Sequence, residues 1–252
     1  SNYINDVLFF PMDDFLTSEA LAISPDLQVS RMETLNKLVT DDKYIVITNL
    51  TGYLRYLPTK ESFIKHTISL KVGDILEPSL LVEKLVSIGY QRDSVVSKTG
   101  EFAVRGFVVD VFPIDCDDPI RIEYFDDEIE SIRVFDGENQ KSISSLDEVV
   151  IKPYFEFICD YNVPESEFGK QKYLPNYCDV TNIYGFLDEN YVFFKDYEQI
   201  ELSYKNMVEE MLDYKNEKDE DFDGGYMFEL DKLDVEYPIY YMSINNLSKS
   251  NY

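Results

Sequence analysis

The chain has 252 residues, 44% of them hydrophobic and 15% aromatic, with 17 Phe and 20 Tyr. That is ample material for packed cores, which excludes general disorder, and the length allows one large domain or two to three small ones. With 49 acidic against 23 basic residues the net charge is −26, and no cluster of four or more Lys/Arg occurs, so the chain alone is not expected to grip duplex DNA.

No apolar run approaches the ~20 residues of a membrane helix. The opening "SNYINDVLFF" lacks the basic start and long apolar core of a signal peptide, and Ser1-Asn2 reads as a scar of tag cleavage. "DVLFFP" (6–11) reads as a buried strand. Ser24-Pro25 predicts an N-cap followed by Pro at the first helical position. Val29, Met32, Leu35 and Val39 then recur at helical spacing. "KYIVITN" (43–49) is a second buried strand, continuous in its hydrophobicity as parallel strands, covered on both faces, are. Strand, helix, strand is a βαβ unit, which places 1–65 in an α/β layer.

A new unit begins near His66. "HTISL" (66–70) is a short strand. Pro78 opens a helix that presents Leu81, Leu85 and Ile88 on one face and stops at Gly89. Strands at 103–112, 119–125, 128–135 and 147–152, split by short polar turns, make an α+β unit dominated by antiparallel hairpins. After Pro153, residues 160–190 are rich in Tyr, Pro and Asn with weak periodicity. "YVFF" (191–194) is a strand, and Asp196 with Gln199 resembles a capping box. Tyr197, Ile200, Tyr204, Met207 and Met211 make a helical stripe to about 216. "NEKDEDFDGG" (216–225) is an acidic loop, and "YPIYYMSI" (237–244) a last strand. This second strand-helix-strand run is expected to complete the sheet begun by 1–65, with the middle unit inserted between.

The search for chemistry returns little. There is no GxxxxGK[ST], no GxSxG and no HExxH. Cys116, Cys159 and Cys178 have no short spacing and read as free thiols of a cytoplasmic protein. The single histidine, His66, reads as structural or surface, and no metal site is expected. Asp126-Asp127 suits a turn. The acidic excess reads equally as a solvated surface or as a partner-directed field.

"PIRIEYFDDEIESIRVFD" (119–136) is more informative. Alternate strand side chains share a face, so Ile120, Ile122 and Tyr124 point to a core, while Arg121, Glu123 and Phe125 share the other side. If "DD" is a two-residue hairpin loop, Glu128 and Glu130 join that second face, and the alternation then loosens at Ile132, as a bulge or a twist would make it. An Arg beside an exposed aromatic is the composition of an interaction hot spot. The alternative is a buried Phe125, with Arg121 paired to Glu123 or Glu130. The strand "GEFAVRGFVVDVFP" (100–113) adds Arg105 beside Gly106, a cation that strand formation does not require.

These two stretches, together with "FFPMDDF", "SRMETLNKL", "IVITNLTGYLRYLP" and "LKVGDILEPSLLVEKLVSIGYQRDSVVSKTGEF", resemble successive blocks of the amino-terminal UvrB-like module of bacterial transcription-repair coupling factors (Mfd). The resemblance is detailed from about residue 7 to 155 and weak from 156 to 252. The repair helicase UvrB is the close rival. It would carry a P-loop and a tyrosine-rich β-hairpin, and the direct passage from "FFPMDDF" to "SRMETLNKL" leaves no room for that hairpin.

The resemblance implies an α/β fold: a degenerate P-loop helicase-like layer domain, split into 1A (1–65, partial) and 1B (154–252), with an inserted α+β middle domain (66–153) of mostly antiparallel strands. It implies an amino-terminal fragment with no ATPase activity, no catalytic residues, no cofactor and no metal. It implies that the middle domain docks on UvrA, the damage-recognition ATPase of nucleotide excision repair, through Arg105, Arg121 and Phe125. It also implies that the carboxy-terminal domain of the full-length chain masks this surface until a stalled RNA polymerase is engaged. RNA polymerase and DNA would be met only through domains absent here. Phe107 after Gly106, and the unusually negative charge, depart from the family pattern and bear on affinity across species. Two other readings stand beside the adaptor: a fragment of a UvrB-type DNA-dependent ATPase, and an acidic clamp on the translocase motor of its own chain.

Overall fold

Strand β1 (Val7–Phe10) is the first element of the computed structural model, which describes residues 7–16, 24–40, 43–187, 191–218, 224–233, 239–242 and 247–250. Leu8 and Phe10 are buried and Phe9 is exposed, the alternation of a half-covered strand. Helix α1 (Pro25–Leu38) follows, with Pro at its start as expected. The Ser24 hydroxyl makes no cap bond. Instead the Ser24 N–H is tied to Asp13 Oδ2 at 2.8 Å. Met32, Leu35 and Leu38 carry the buried stripe. Polar residues of the same helix reach back to β1: Thr34 Oγ1 donates to the Phe9 carbonyl at 2.7 Å, and Arg31 Nη1 to that of Pro11 at 3.0 Å. These bonds give the two backbone carbonyls side-chain partners from the helix.

Strand β2 (Ile45–Thr48) pairs parallel with β1, Val7 opposite Ile45 and Phe10 opposite Thr48. The parallel pairing agrees with the hydrophobic run; the expected burial on both faces does not. Ile45 and Ile47 lie exposed in the same rows as Val7 and Phe9, because only the Leu8 and Phe10 face of this two-stranded ladder is covered. Helix α2 (Leu50–Leu54) starts on Asn49, whose Oδ1 accepts from Gly52 N at 3.0 Å. Gly52 is required by a close approach. A Cβ there would fall 2.4 Å from Thr48 Oγ1 and 2.8 Å from the Phe10 carbonyl, which are hydrogen-bonded to each other at 2.6 Å. Strand β3 (Leu57–Pro58) ends this segment.

Residues 60–160 form a compact unit of their own, lying in sequence between the two segments, 1–59 and 161–252, of the other. It opens with α3 (Lys60–Lys65), β4 (Ile68–Lys71) and α4 (Pro78–Ser87). Then come β5 (Gln91–Arg92), β6 (Glu101–Arg105), β7 (Val108–Val111), β8 (Ile120–Phe125), β9 (Glu128–Phe135), β10 (Ser142–Leu146) and β11 (Glu148–Ile151). Six of these make one sheet in the order β10-β9-β8-β7-β6-β5, antiparallel throughout except between β5 and β6. β4 and β11 pair antiparallel beside it. The inner face of the sheet buries Phe102, Val109, Val111, Ile120, Ile122, Ile129 and Ile132 in one cluster with Leu81 and Leu85 of α4 and with Ile68, Leu70, Val149 and Ile151. Each fully buried residue of this size is worth about 1.5–3 kcal/mol. α4 stops where the sequence placed its end: Gly89 takes φ +95°, and a Cβ there would meet the Phe155 ring at 2.4 Å.

The single strand expected over 103–112 is two strands. Gly106, at φ +60°, turns the chain, Arg105 pairs with Val108, and Ala103 faces Asp110. The positive φ favours glycine, and the apolar residues on both sides of the turn hide it in a hydropathy pattern. The unit's ends are joined. Asp160 lies 2.6 Å from Lys65 Nζ and 3.4 Å from His66 Nε2, while His66 Nδ1 sits 2.8 Å from the Ser62 carbonyl.

The last segment carries a 3₁₀ turn (Gln171–Asn176), β12 (Val180–Thr181) antiparallel to β3, and a second 3₁₀ turn (Ile183–Phe186). Strand β13 (Val192–Lys195), α5 (Tyr197–Lys218) and β14 (Ile239–Met242) follow the expected strand-helix-strand order, with β13 and β14 parallel. β15 (Leu247–Ser250) adds an antiparallel partner to β14. Among the described residues this three-stranded sheet stands by itself, and no ladder joins it to β1 and β2, so it does not complete their sheet. Half of the acidic loop, 219–223, lies outside the described residues. Asp196 takes φ +55° rather than the extended backbone of a capping-box residue. None of the three cysteines is in a disulfide. Among the described residues no helix is long and apolar enough to cross a membrane. The architecture is mixed α/β, with several antiparallel ladders.

Candidate docking face

The outer face of the six-stranded sheet is charged. Its composition follows from the strand registers, because residues directly opposite one another share a face. One row across the sheet reads Ala103, Asp110, Arg121, Arg133, and the next reads Arg105, Val108, Glu123, Ser131. Phe125 pairs with Glu128 across the turn Asp126-Asp127, where Asp126 takes φ +57°. The two-residue loop read from "DD" is therefore present.

Asp110 organises the first row. Its side chain is 1% exposed, yet it bears the charge that two arginines share. Arg121 Nε donates to Asp110 Oδ1 at 2.7 Å and Arg121 Nη2 to Oδ2 at 2.9 Å. Arg105 Nη2 donates to Oδ2 at 2.5 Å. Charge-assisted bonds of this kind, the first pair bidentate, are the strong class of protein hydrogen bond. Gln140, held at φ +62°, accepts a further bond from Arg121 Nη2 at 2.8 Å. The Arg121 guanidinium also lies 4.4 Å above the centre of the buried Phe135 ring, within cation–π range. The bonds to Asp110 hold the Arg121 pKa above its ordinary value, against the opposing effect of burial.

Arg121 stands directly opposite Arg133, a like-charge pairing that would destabilise the sheet. Each arginine turns to its own carboxylate instead. Arg133 pairs with Glu123, and Glu123 also accepts from Ser131 Oγ at 2.9 Å. Arg121 meets Asp110, not Glu123 or Glu130. These two rows thus carry Arg105, Arg121 and Arg133 against Asp110 and Glu123, a local positive excess in a chain of net charge −26.

Arg105 is 49% exposed and Arg121 20%. Phe125 is 72% exposed. It shares Arg121's strand and face, about 13 Å further along at ~3.3 Å per residue. All three residues proposed from sequence therefore lie on one face, with the arginines joined and the phenylalanine apart from them. Three neighbours escaped the sequence reading. Asp110 was visible as the one acidic residue in the apolar run "FVVDVF", but its role required the hairpin at Gly106. Arg133 was hidden by a bulge. Glu123 pairs with Ser131 and Tyr124 with Ile129, so Glu130 is the extra residue. The outer positions of β9 shift accordingly to Ser131, Arg133 and Phe135, and Glu130 does not join the row. Gln140 arrives from the β9–β10 connection, which no strand periodicity reaches. Among the described residues no group of three or more His, Cys, Asp or Glu is placed to hold a metal ion.

Residues 68–157 match the family described as the UvrB interaction domain, and every residue of the face falls within that stretch. The chain is similar to the transcription-repair-coupling factor of Bacillus subtilis (strain 168), 36% identical over 152 residues, which is 60% of this chain and 13% of that protein. It is also similar to the proteins of that name from Staphylococcus aureus (strain bovine RF122 / ET3-1), 40% identical over 149 residues, and Staphylococcus epidermidis (strain ATCC 12228 / FDA PCI 1200), 37% identical over 158 residues. These alignments cover 59% and 62% of this chain and 13% of each relative. The chain spans about 13% of the length of the curated relatives it matches.

Proposed function

We propose that this chain is a non-catalytic docking module of transcription-coupled nucleotide excision repair, recruiting UvrA to lesion-stalled RNA polymerase through the outer face of its six-stranded sheet. The observation that carries the reading is the shared Asp110 carboxylate, which fixes Arg105 and Arg121 beside each other on the same face as exposed Phe125. A guanidinium has five donors. Asp110 and Gln140 take three bonds from Arg121, and Asp110 takes one from Arg105, which leaves donors for carboxylates of a partner. Side chains already held in place lose little freedom on binding, and an exposed aromatic is the usual apolar anchor of such a surface.

In this reading the flanking segments, 1–65 and 154–252, are the halves of a helicase-like layer that does no nucleotide chemistry and binds no cofactor. The intact protein works in the cytoplasm and hides the face under its own carboxy-terminal domain until polymerase is engaged. Its contacts with polymerase and DNA are made by other domains.

Calorimetric titration of UvrA into the chain tests this. The double variant Arg121→Ala/Phe125→Ala is expected to lose about 2 kcal/mol or more, roughly 30-fold in affinity, with Phe125→Ala alone serving as the variant that leaves the Asp110 network whole. Equal UvrA affinity for all three proteins overturns the proposal.

A further inference from the structure

The face does not end at Phe125. Glu128, which pairs with Phe125, is paired on its other side with Ile75 by an isolated antiparallel bridge. Ile75 belongs to the connection between β4 and α4, and three backbone bonds hold that connection to the β8–β9 hairpin. Leu76 N donates to Asp127 O at 2.9 Å, Gly73 N to Ile129 O at 2.8 Å, and Ile129 N to Asp74 O at 2.9 Å. The loop is also braced internally, with Lys71 N donating to Asp74 Oδ2 at 2.8 Å. Ile75 therefore occupies a fixed position beside the sheet. Since directly opposed residues share a face, Phe125, Glu128 and Ile75 form one row on the outer side. The two apolar side chains stand about 10 Å apart, twice the spacing between strands.

Ile75 is 81% exposed and Phe125 72%. Single exposed apolar residues are ordinary on a protein surface. What sets Ile75 apart is a backbone bonded to the hairpin before and after it, in register with the proposed anchor. An apolar side chain held in this way reaches a partner with its ordering cost already met. The charges along the face are ordered too. Arg105, Arg121 and Arg133 lie at one end, while Glu128, beside the exposed Asp126 and Asp127, lies between the two apolar residues at the other.

We propose that Ile75 is a second apolar anchor of the docking face, and that the partner meets this end with two apolar sockets flanking a basic group opposite Glu128. The inference rests on the docking function proposed above. It adds what the partner surface must look like: carboxylates facing the arginines, then an apolar, basic, apolar run.

UvrA titrations of Ile75→Ala, Glu128→Lys, Arg121→Ala and Ile64→Ala separate the two proposals. Ile64 is exposed on α3 and belongs neither to the sheet nor to the β4–α4 connection, so it controls for the loss of any surface apolar group. Ile75→Ala and Glu128→Lys are each expected to weaken UvrA about five-fold or more, with Ile64→Ala unchanged and all melting temperatures close to wild type. Wild-type affinity in Ile75→Ala with a loss in Arg121→Ala overturns the second anchor and leaves the docking function standing. An equal loss in Ile64→Ala and Ile75→Ala also overturns it. No loss in any of the four overturns the docking function itself.

Discussion

The guanidinium of Arg121 lies against the carboxylate of Asp110 through two parallel bonds, Nε to Oδ1 at 2.7 Å and Nη2 to Oδ2 at 2.9 Å. Asp110 is buried and Arg121 mostly so. A charge taken that far from water costs several kcal/mol unless it is paired and bonded, so the pair is a commitment of the fold as well as of the surface.

Asp110→Asn should expose that commitment. The amide keeps the shape and removes the charge that two arginines share, and urea unfolding is expected to show a loss of about 2–3 kcal/mol. The variant also makes the face more positive. If net charge governed docking, UvrA would bind it more tightly. Because the carboxylate orders both guanidiniums, about ten-fold weaker binding is expected instead. Tighter binding at low salt would show that Asp110 is only a counter-charge.

Tyr124 should be improvable. Its ring faces the core, its hydroxyl is buried with no hydrogen-bond partner, and burial pushes its pKa up to about 12. A hydroxyl taken from water without compensation costs about 1–3 kcal/mol. Tyr124→Phe removes that penalty with little change of shape, so the midpoint of urea unfolding should rise, by about 1 kcal/mol in stability. Since Tyr124 points away from the docking face, UvrA affinity should not move. A destabilised Tyr124→Phe would mean that the hydroxyl is satisfied in solution.

Glu101 gives the middle unit a dependence on acid. Burial alone would raise its pKa, but the N–H groups of Ser97 and Lys98 and the Ser97 hydroxyl donate to it at 2.9, 3.1 and 3.1 Å and hold it below the ordinary carboxylate range. A folded pKa below the unfolded value of about 4.3 means that the ionised form stabilises the fold. That stabilisation is complete above the unfolded value and is lost as pH falls through the folded one. Glu101→Gln should melt lower than wild type at pH 7, by about 1 kcal/mol in stability, and the gap should shrink as pH falls below the unfolded value. A gap that persists unchanged at pH 3 would assign the loss to packing instead.

The sequence was most informative where a local rule governs. The helix from Pro78, its stop at Gly89, the "DD" turn and the shared face of Arg121 and Phe125 all follow from spacing and residue type within a few positions. It misled where the deciding partner was distant or a single residue broke the period. Gly106 splits an apolar run that reads as one strand, and Glu130 shifts the parity of β9. Hydrophobicity also promised β2 a cover on both sides, which a two-stranded ladder does not receive. Asp110 and Gln140 became part of the face only when chain reversals brought them to Arg121, and no pattern read along one strand records such a meeting.

Asp160, at the end of the middle unit, takes Lys65 and His66 from the unit's beginning. Entrance and exit therefore sit within one side chain's reach. A segment whose ends meet in this way asks of its host only a narrow gap. It is built as a cassette, portable between chains that can offer two neighbouring points of attachment.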